Sequence, residues 1–170
     1  LVKFDEVYDG APTIWPQFDA QNEKHIEMLN RTILAFAKMD NVMLLGRGGF
    51  VMLHEYSNVL NIRIRAPLQH RLQNVMATEN IDDPIEAEDY IKEQDQIRHR
   101  FLKTYYDIRW EDLSLFELVI DTCCIPVDMA AGWIVQAAHR LEEKEFDPEE
   151  TAQAIEVDEV LAKTVSDIIA

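Results

Sequence analysis

The apolar positions of this chain recur with two periods, one typical of strands and one typical of helices. Residues 42–45 are continuously apolar, which predicts a short strand buried on both faces. Residues 60–65 alternate between apolar and polar side chains, which predicts a strand with one exposed face. Residues 118–120 predict a third, buried strand, which is closed by Asp121 and Thr122.

Helical patterns separate these three strands. Apolar residues at helical spacing predict helices from about Asp19 to Asp40, from Pro67 to Met76, from about Ile85 to Tyr106 and from Pro126 to Leu141. One or two further helical turns are predicted over residues 50–53. Because strands separated by helices are typical of parallel βαβ units, the sequence predicts an α/β fold built on a parallel sheet.

The two ends of the chain differ from this central pattern. Residues 1–8 are predicted to form a short strand or an extended arm, and residues 10–16 hold two prolines and predict a loop. We expect one α/β domain over residues 1–141, then an acidic linker and a C-terminal amphipathic helix over residues 142–170. That helix could pack on the domain or on a partner, so it is a candidate surface for homo-oligomerisation.

The charge of the chain limits its partners. It carries 32 acidic and 16 basic residues, a formal net charge of −16. Such a surface repels a nucleic-acid backbone, so no nucleic-acid binding is expected, although a few converging arginines could still bind a small anion. No apolar run approaches a membrane span and no signal-peptide pattern is present, so no membrane association is expected.

The chain has two cysteines, Cys123 and Cys124, which are adjacent. Neighbouring cysteines rarely form a disulfide with each other, so a reducing cytoplasm is the simplest predicted setting. We interpret both as small buried side chains rather than a catalytic pair.

A glycine-rich turn follows the first predicted strand, where Arg47 lies among Gly46, Gly48 and Gly49. In open α/β sheets, ligands bind beyond the carboxyl ends of the strands, and a guanidinium suits phosphate or carboxylate. Two interpretations stay open: a turn that binds an anionic ligand, or a plain strand-to-helix turn with a surface arginine.

The long helix carries charges on its apolar stripe. Asp95 and Arg98 lie between Ile91 and Leu102 on one face, and such charges must be satisfied if they are buried. They could pair with each other at a spacing of three residues, or they could face a cleft and hold a polar ligand. Arg71, on the preceding helix, is by spacing alone a solvated charge.

Familiar catalytic motifs are absent from the sequence. No glycine is followed by lysine, so there is no phosphate-binding loop of the Gly-Lys-Ser/Thr kind. Valine at position 51 interrupts a dinucleotide-binding fingerprint, and the five histidines show no metal-ligand spacing. No motif therefore supplies a nucleophile, a base or a metal site.

The order of several short segments nevertheless resembles the cytidylate-kinase-like branch of the P-loop nucleoside monophosphate kinases. The resemblance extends from roughly Asp19 to Leu141 and rests on an ordered set of segments: Gly46-Arg47-Gly48, Ile64-Arg65-Ala66-Pro67, Arg71, Asp95-Gln96-Ile97-Arg98, Phe101 with Tyr105-Tyr106, Trp110, and Leu118-Val119-Ile120-Asp121-Thr122. It implies a three-layer α/β fold with a parallel sheet, and phosphoryl transfer from ATP to a nucleoside monophosphate with Mg²⁺.

The resemblance also implies roles for individual residues. Arg47, Asp95 and Arg98 match positions that contact the nucleoside monophosphate, and Arg71 matches a lid arginine that approaches the donor triphosphate. Phosphoryl transfer depends on positioning and charge neutralisation more than on a chemical base, so arginines and Mg²⁺ are the expected agents.

Three features depart from the family pattern. Members begin with a strand and a phosphate-binding loop, whereas Gly10 is the only glycine before position 46 and the chain begins at Leu1. We therefore expect an upstream segment, or else the loss of that loop. Gly48 and Ile91 replace an aspartate and a basic residue of cytidylate kinases, which leaves cytosine specificity open. The alternatives are a kinase-derived module that binds a nucleotide or a partner protein without catalysis, and a structural α/β domain with internal salt bridges.

Overall fold

The computed structural model describes residues 23–169. The predicted arm and loop, and the predicted start of the first helix at Asp19, lie outside these residues. The described elements, in chain order, are helices α1 (Glu23–Lys38) and α2 (Gly49–Leu53), strand β1 (Ile62–Arg65), helices α3 (Leu68–Thr78) and α4 (Pro84–Tyr106), strand β2 (Leu118–Asp121), helix α5 (Val127–Glu142), two 3₁₀ turns (Pro148–Glu150 and Ala152–Ala154) and helix α6 (Glu159–Ile169). These bounds confirm the predicted helices and two of the three predicted strands.

The described residues divide into two compact units, one formed by residues 23–59 together with 145–169, and the other by Leu60–Lys144. In the first unit, α1 packs on α6, with Ala35 and Phe36 of α1 against the buried Val165. The Lys38 ammonium on α1 donates to the Ile155 carbonyl at 2.7 Å. The C-terminal helix therefore buries its apolar stripe within the chain. Its use in homo-oligomerisation stays a prediction.

The strand predicted at residues 42–45 is not formed in the structure. In residues 23–169 this segment is extended but pairs with no strand. Leu44 packs into the core, whereas Met43 and Leu45 are 64% and 66% exposed. The prediction of burial on both faces was wrong, because an apolar run indicates a preference for burial and does not identify the neighbour that would cover it.

The second unit contains a small parallel sheet, as predicted. Strands β1 and β2 pair in register, with Ile62 opposite Leu118 and Arg65 opposite Asp121. This two-stranded sheet does not by itself show the three-layer arrangement that the resemblance implies. Since side chains alternate along a strand, Arg63 and Arg65 share one face of the sheet.

Local sequence sets the ends of the long helix α4. Asp83 caps its N-terminus by accepting the Ile85 amide at 2.9 Å, and Pro84 occupies the first turn. Asp107 ends the helix in the left-handed conformation. The buried Ala87, Ile91 and Leu102 fix the rotation of α4 about its axis and so decide where Asp95 and Arg98 point.

The interpretation of the cysteines as buried was wrong. Cys123 and Cys124 are both exposed in the turn that leaves β2, where the Cys123 amide donates to the Asp121 carboxylate at 3.0 Å. The turn carries them away from the sheet, and two apolar-looking residues beside a strand do not reveal this. Separately, no helix within residues 23–169 combines the length and apolar character needed to cross a bilayer.

Candidate functional site

Three of the residues singled out in the sequence form one ion-pair cluster in the second unit. Arg71 on α3 donates from both terminal nitrogens to the Asp95 carboxylate, at 2.9 and 2.7 Å. Arg98 donates to the same carboxylate at 2.8 Å. Each side chain is between one third and one half exposed. One carboxylate therefore holds two guanidinium groups in fixed orientations at the surface of the unit.

The backbone accounts for this convergence. Pro67 caps α3, which places Arg71 within its first turns. Asp95 lies near the middle of α4 and Arg98 follows it by three residues, so both project from one face. The α3 helix has no fully buried side chain. Its bidentate ion pair with α4 is therefore an important contact between the two helices.

The electrostatics of the cluster follow from its geometry. Burial, the largest single influence on Asp95, raises the pKa of that carboxyl, but the hydrogen bonds and positive charges of Arg71 and Arg98 together lower the pKa below its usual value. The hydrogen bond to Asp95 raises the pKa of Arg71. The cluster thus combines two positive charges with one negative charge, and the excess positive charge suits an anion.

One donor in the cluster is not satisfied. The Nε of Arg71 is buried and has no hydrogen-bond partner within the described part of the chain. A buried donor without a partner costs free energy, typically about 1–3 kcal/mol. A water or a ligand atom would satisfy this donor, since buried polar groups in folded proteins are normally hydrogen-bonded.

Arg47 occupies a different setting in the first unit. Gly46, Arg47 and Gly48 all adopt positive φ, at 71°, 58° and 73°. The turn is closed by the Gly49 amide, which donates to the Gly46 carbonyl at 3.2 Å, and it leads directly into α2. Glycine adopts this conformation freely, but in a residue with a side chain it costs about 1–2 kcal/mol. The strained backbone at Arg47 is consistent with a functional turn.

The predicted site residues therefore fall into two groups. Arg71, Asp95 and Arg98 are in direct contact in the second unit, whereas Arg47 and its glycines belong to the first unit. The pairing of Asp95 with Arg98 that the sequence suggested does occur. It does not exclude a ligand, because both arginines keep donors that Asp95 does not use.

The sequence analysis missed Arg63 on β1. Its guanidinium carbon lies 3.4 Å from the centroid of the Trp110 ring, which is stacking distance. The strict alternation of residues 60–65 predicts that Arg63 lies on the exposed face of the strand. The tryptophan just after the long helix was the available signal, since a parallel sheet brings that loop back near the strands.

No group of three or more histidine, cysteine or acidic side chains within residues 23–169 could hold a metal ion. The carboxylate of Asp95 is already engaged by two arginines. The described residues thus do not form a metal centre, and none of them is assigned to Mg²⁺.

Comparison with known proteins identifies the family of this α/β chain. The sequence model of the cytidylate kinase-like family matches residues 5–123, more than half of the chain. The chain therefore belongs to the cytidylate kinase-like family, as the order of its motifs predicted.

Two curated relatives of this chain are both named cytidylate kinase. A cytidylate kinase of Methanocaldococcus jannaschii is 33% identical over 111 residues, which cover 62% of this chain and 62% of that protein. A cytidylate kinase of Sulfolobus acidocaldarius is 37% identical over 92 residues, which cover 54% of this chain and 50% of that protein. The chain thus spans less than two thirds of the length of these relatives. No solved structure gives a significant match.

Proposed function

We propose that this chain forms the acceptor side of a nucleotide kinase, which transfers a phosphoryl group from ATP to a nucleoside monophosphate such as CMP. The observation that carries the proposal is the cluster of Arg71, Asp95 and Arg98, a half-exposed site with excess positive charge on a chain of net charge −16. Family membership supports the same conclusion, since curated relatives are named cytidylate kinases.

The family resemblance supplies a proposed role for each residue. Arg47 would bind the phosphate of an acceptor nucleotide, and Arg98 on α4 is assigned to acceptor binding as well. Asp95 would orient both arginines of the cluster and offer an oxygen to a hydroxyl or amino group of the acceptor. Arg71 would turn its remaining donors toward the donor phosphates and neutralise charge there.

The proposed fold is the three-layer parallel sheet of the P-loop kinases. On β1, Ile64 is 55% exposed. An apolar strand residue left in water supports the proposal, because the helical layers of a three-layer fold would cover that face of the sheet.

The donor side is proposed on family grounds alone. ATP and Mg²⁺ accompany phosphoryl transfer, and Mg²⁺ is usually held by substrate phosphates, waters and only one or two carboxylates. The sequence contains no glycine followed by lysine, and no described residue is assigned to ATP or Mg²⁺. A cytoplasmic location stays a prediction.

One observation favours the alternative in which the chain binds a nucleotide or a partner without catalysing transfer. That observation is the missing Gly-Lys motif, since phosphate-binding loops of this class use that lysine on the donor phosphates. Both proposals keep the acceptor site, and they differ in whether these 170 residues bind ATP.

Titration calorimetry of the whole chain tests the proposal, with CMP, with cytidine and then with ATP and Mg²⁺, at low and moderate salt. We expect CMP to bind more tightly than cytidine, which lacks the phosphate, and salt to weaken the binding of CMP more than that of cytidine. Binding of ATP would favour the kinase, and binding of CMP alone would favour the non-catalytic alternative for this chain. Equal affinity for CMP and cytidine, or no binding of either, would contradict the acceptor site.

A further inference from the structure

Arg63 is held in an unusual environment for a charged side chain. Its guanidinium carbon lies 3.4 Å from the centroid of the Trp110 ring and 5.8 Å from that of Phe116. The side chain is half-buried in the second unit. The guanidinium thus lies over the Trp110 ring, and a guanidinium that stacks on a ring keeps the N–H groups at its edge available to an acceptor.

The edge of this guanidinium has no protein acceptor in the part of the chain that the structure describes. Its only specific contacts there are with the two aromatic rings. Arg65, two residues along the same face, instead pairs with Asp121 at 3.3 Å. The two neighbouring arginines therefore differ, because one is neutralised within the fold and the other keeps its hydrogen-bonding capacity.

The charges around Arg63 also leave it short of neutralisation. Burial, and next the positive charge of Arg98, lower the pKa of Arg63, while Asp95 and Glu111 act in the opposite direction. Arginine nevertheless stays protonated at any ordinary pH. A protonated, half-buried guanidinium close to a second one is stabilised when an anion binds between or beside them.

We propose that Arg63, held flat on Trp110, is a further anion-binding residue that acts with Arg98 on the phosphate oxygens of the bound mononucleotide. Trp110 is then a positioning residue, because it acts through the guanidinium that it orients. This inference rests on the proposed function, since it assigns Arg63 to the phosphate of the same acceptor nucleotide. It adds a residue that the order of the family motifs did not single out.

The experiment compares Arg63→Lys and Trp110→Phe with the unmodified chain, and uses Arg109→Lys, an exposed arginine beside Trp110, as the matched control. The probes are CMP, cytidine and pyrophosphate in titration calorimetry, and thermal unfolding checks that each variant folds. Lysine keeps the charge but loses the planar fork, so we expect about tenfold weaker binding of CMP and of pyrophosphate.

The tryptophan variant separates positioning from structure. Phenylalanine keeps the ring but stacks less well, so we expect about threefold weaker binding of CMP and pyrophosphate with unchanged binding of cytidine. If Trp110 had a merely structural role, the variant would unfold at a different temperature, or would bind cytidine and CMP more weakly by the same factor. In neither case would the ratio of the CMP affinity to the cytidine affinity change. Arg109→Lys should leave all three affinities unchanged.

The outcomes separate this inference from the proposed function. If pyrophosphate binds in an Arg63-dependent manner and CMP binds no better than cytidine, the anion site stands and the nucleotide function fails. If the chain distinguishes CMP from cytidine and Arg63→Lys leaves that distinction intact, the function stands and the role of Arg63 is overturned. A chain that binds neither CMP nor pyrophosphate overturns both.

Discussion

Two arginine sites of this chain are held in place by different means. Arg47 lies on a strained turn of three consecutive positive-φ residues that includes Gly46 and Gly48. Arg71 and Arg98 are positioned by a shared partner, the carboxylate of Asp95, at 2.7 to 2.9 Å. The first arrangement is local in sequence, whereas the second joins helices α3 and α4.

The difference determines how binding and stability are linked. Replacing a side chain on the turn leaves the backbone conformation of the turn available to the new residue. Removing the shared carboxylate of the cluster leaves two guanidinium groups unsatisfied. Loss of that carboxylate should therefore affect both binding and stability.

The largest effect is expected for Asp95→Ala, which removes the partner of both arginines. Breaking a buried ion pair costs about 3–5 kcal/mol, whereas breaking an exposed pair costs at most about 1 kcal/mol. The side chains of this cluster are partly exposed, so the free energy of unfolding should fall by about 2 kcal/mol. CMP should also bind at least about tenfold more weakly, because the two guanidiniums lose their fixed orientation. Urea unfolding and titration calorimetry measure the two effects.

Asp89→Ala is the matched control, since Asp89 is an exposed acid on the same helix α4. It should change neither quantity measurably. If Asp95→Ala behaves like this control, the ion pairs are ordinary surface pairs and the contrast between the two sites disappears.

Arg47→Ala is expected to weaken binding. CMP should bind about 10- to 100-fold more weakly if Arg47 holds the phosphate by charge-assisted hydrogen bonds. Alanine meets the same steric penalty at positive φ as arginine does, so the strain of the turn should be the same in the variant. Arg31→Ala, an exposed arginine on α1, serves as the control for loss of charge. Unchanged CMP affinity in Arg47→Ala would remove Arg47 from the site.

The sequence predicted most of the fold because most elements are encoded locally. The helical period located α1 and α3–α6, and alternation located β1. The same reasoning failed at residues 42–45, where Met43 and Leu45 are exposed. Whether an apolar segment becomes a paired strand depends on another segment of the chain, and hydrophobic periodicity carries no information about that partner.

The candidate site shows the same limit at the level of side chains. Asp95 and Arg98 could be paired from sequence because three residues along a helix bring side chains together. The bond between Arg71 and Asp95 spans 24 residues, and no spacing rule predicts it. Only the resemblance to a family grouped Arg71 with Asp95 and Arg98. The stacking of Arg63 on Trp110 had no spacing rule or motif to predict it, and the tryptophan after the long helix was the available signal.

Arg98→Ala tests how far the cluster depends on each arginine. Asp95 would keep both hydrogen bonds from Arg71, so the stability loss should be only about 0.5 kcal/mol, as for an exposed pair at this spacing. CMP affinity should nevertheless fall about tenfold if Arg98 contacts the nucleotide. Arg100→Ala on the exposed face of α4 is the control. If Arg98→Ala kept full affinity for CMP, Arg98 would be a solvated ion-pair partner of Asp95 that does not contact the nucleotide.

The smallest effect is the pH dependence of the ion-pair cluster. The folded-state pKa of Asp95 is lowered, so its contribution to stability is present above the usual value of 3.8 and is lost as pH falls through the lowered pKa. Arg71 has a raised pKa, so its contribution would be lost only under strongly alkaline conditions. Urea unfolding gives the free energy of unfolding of the unmodified chain and of Asp95→Asn at several pH values below 5. The difference between the two free energies isolates Asp95, because the other carboxylates are the same in both proteins. That difference should shrink as the solution is acidified. A constant difference would mean that the ion pairs of Asp95 add nothing to stability.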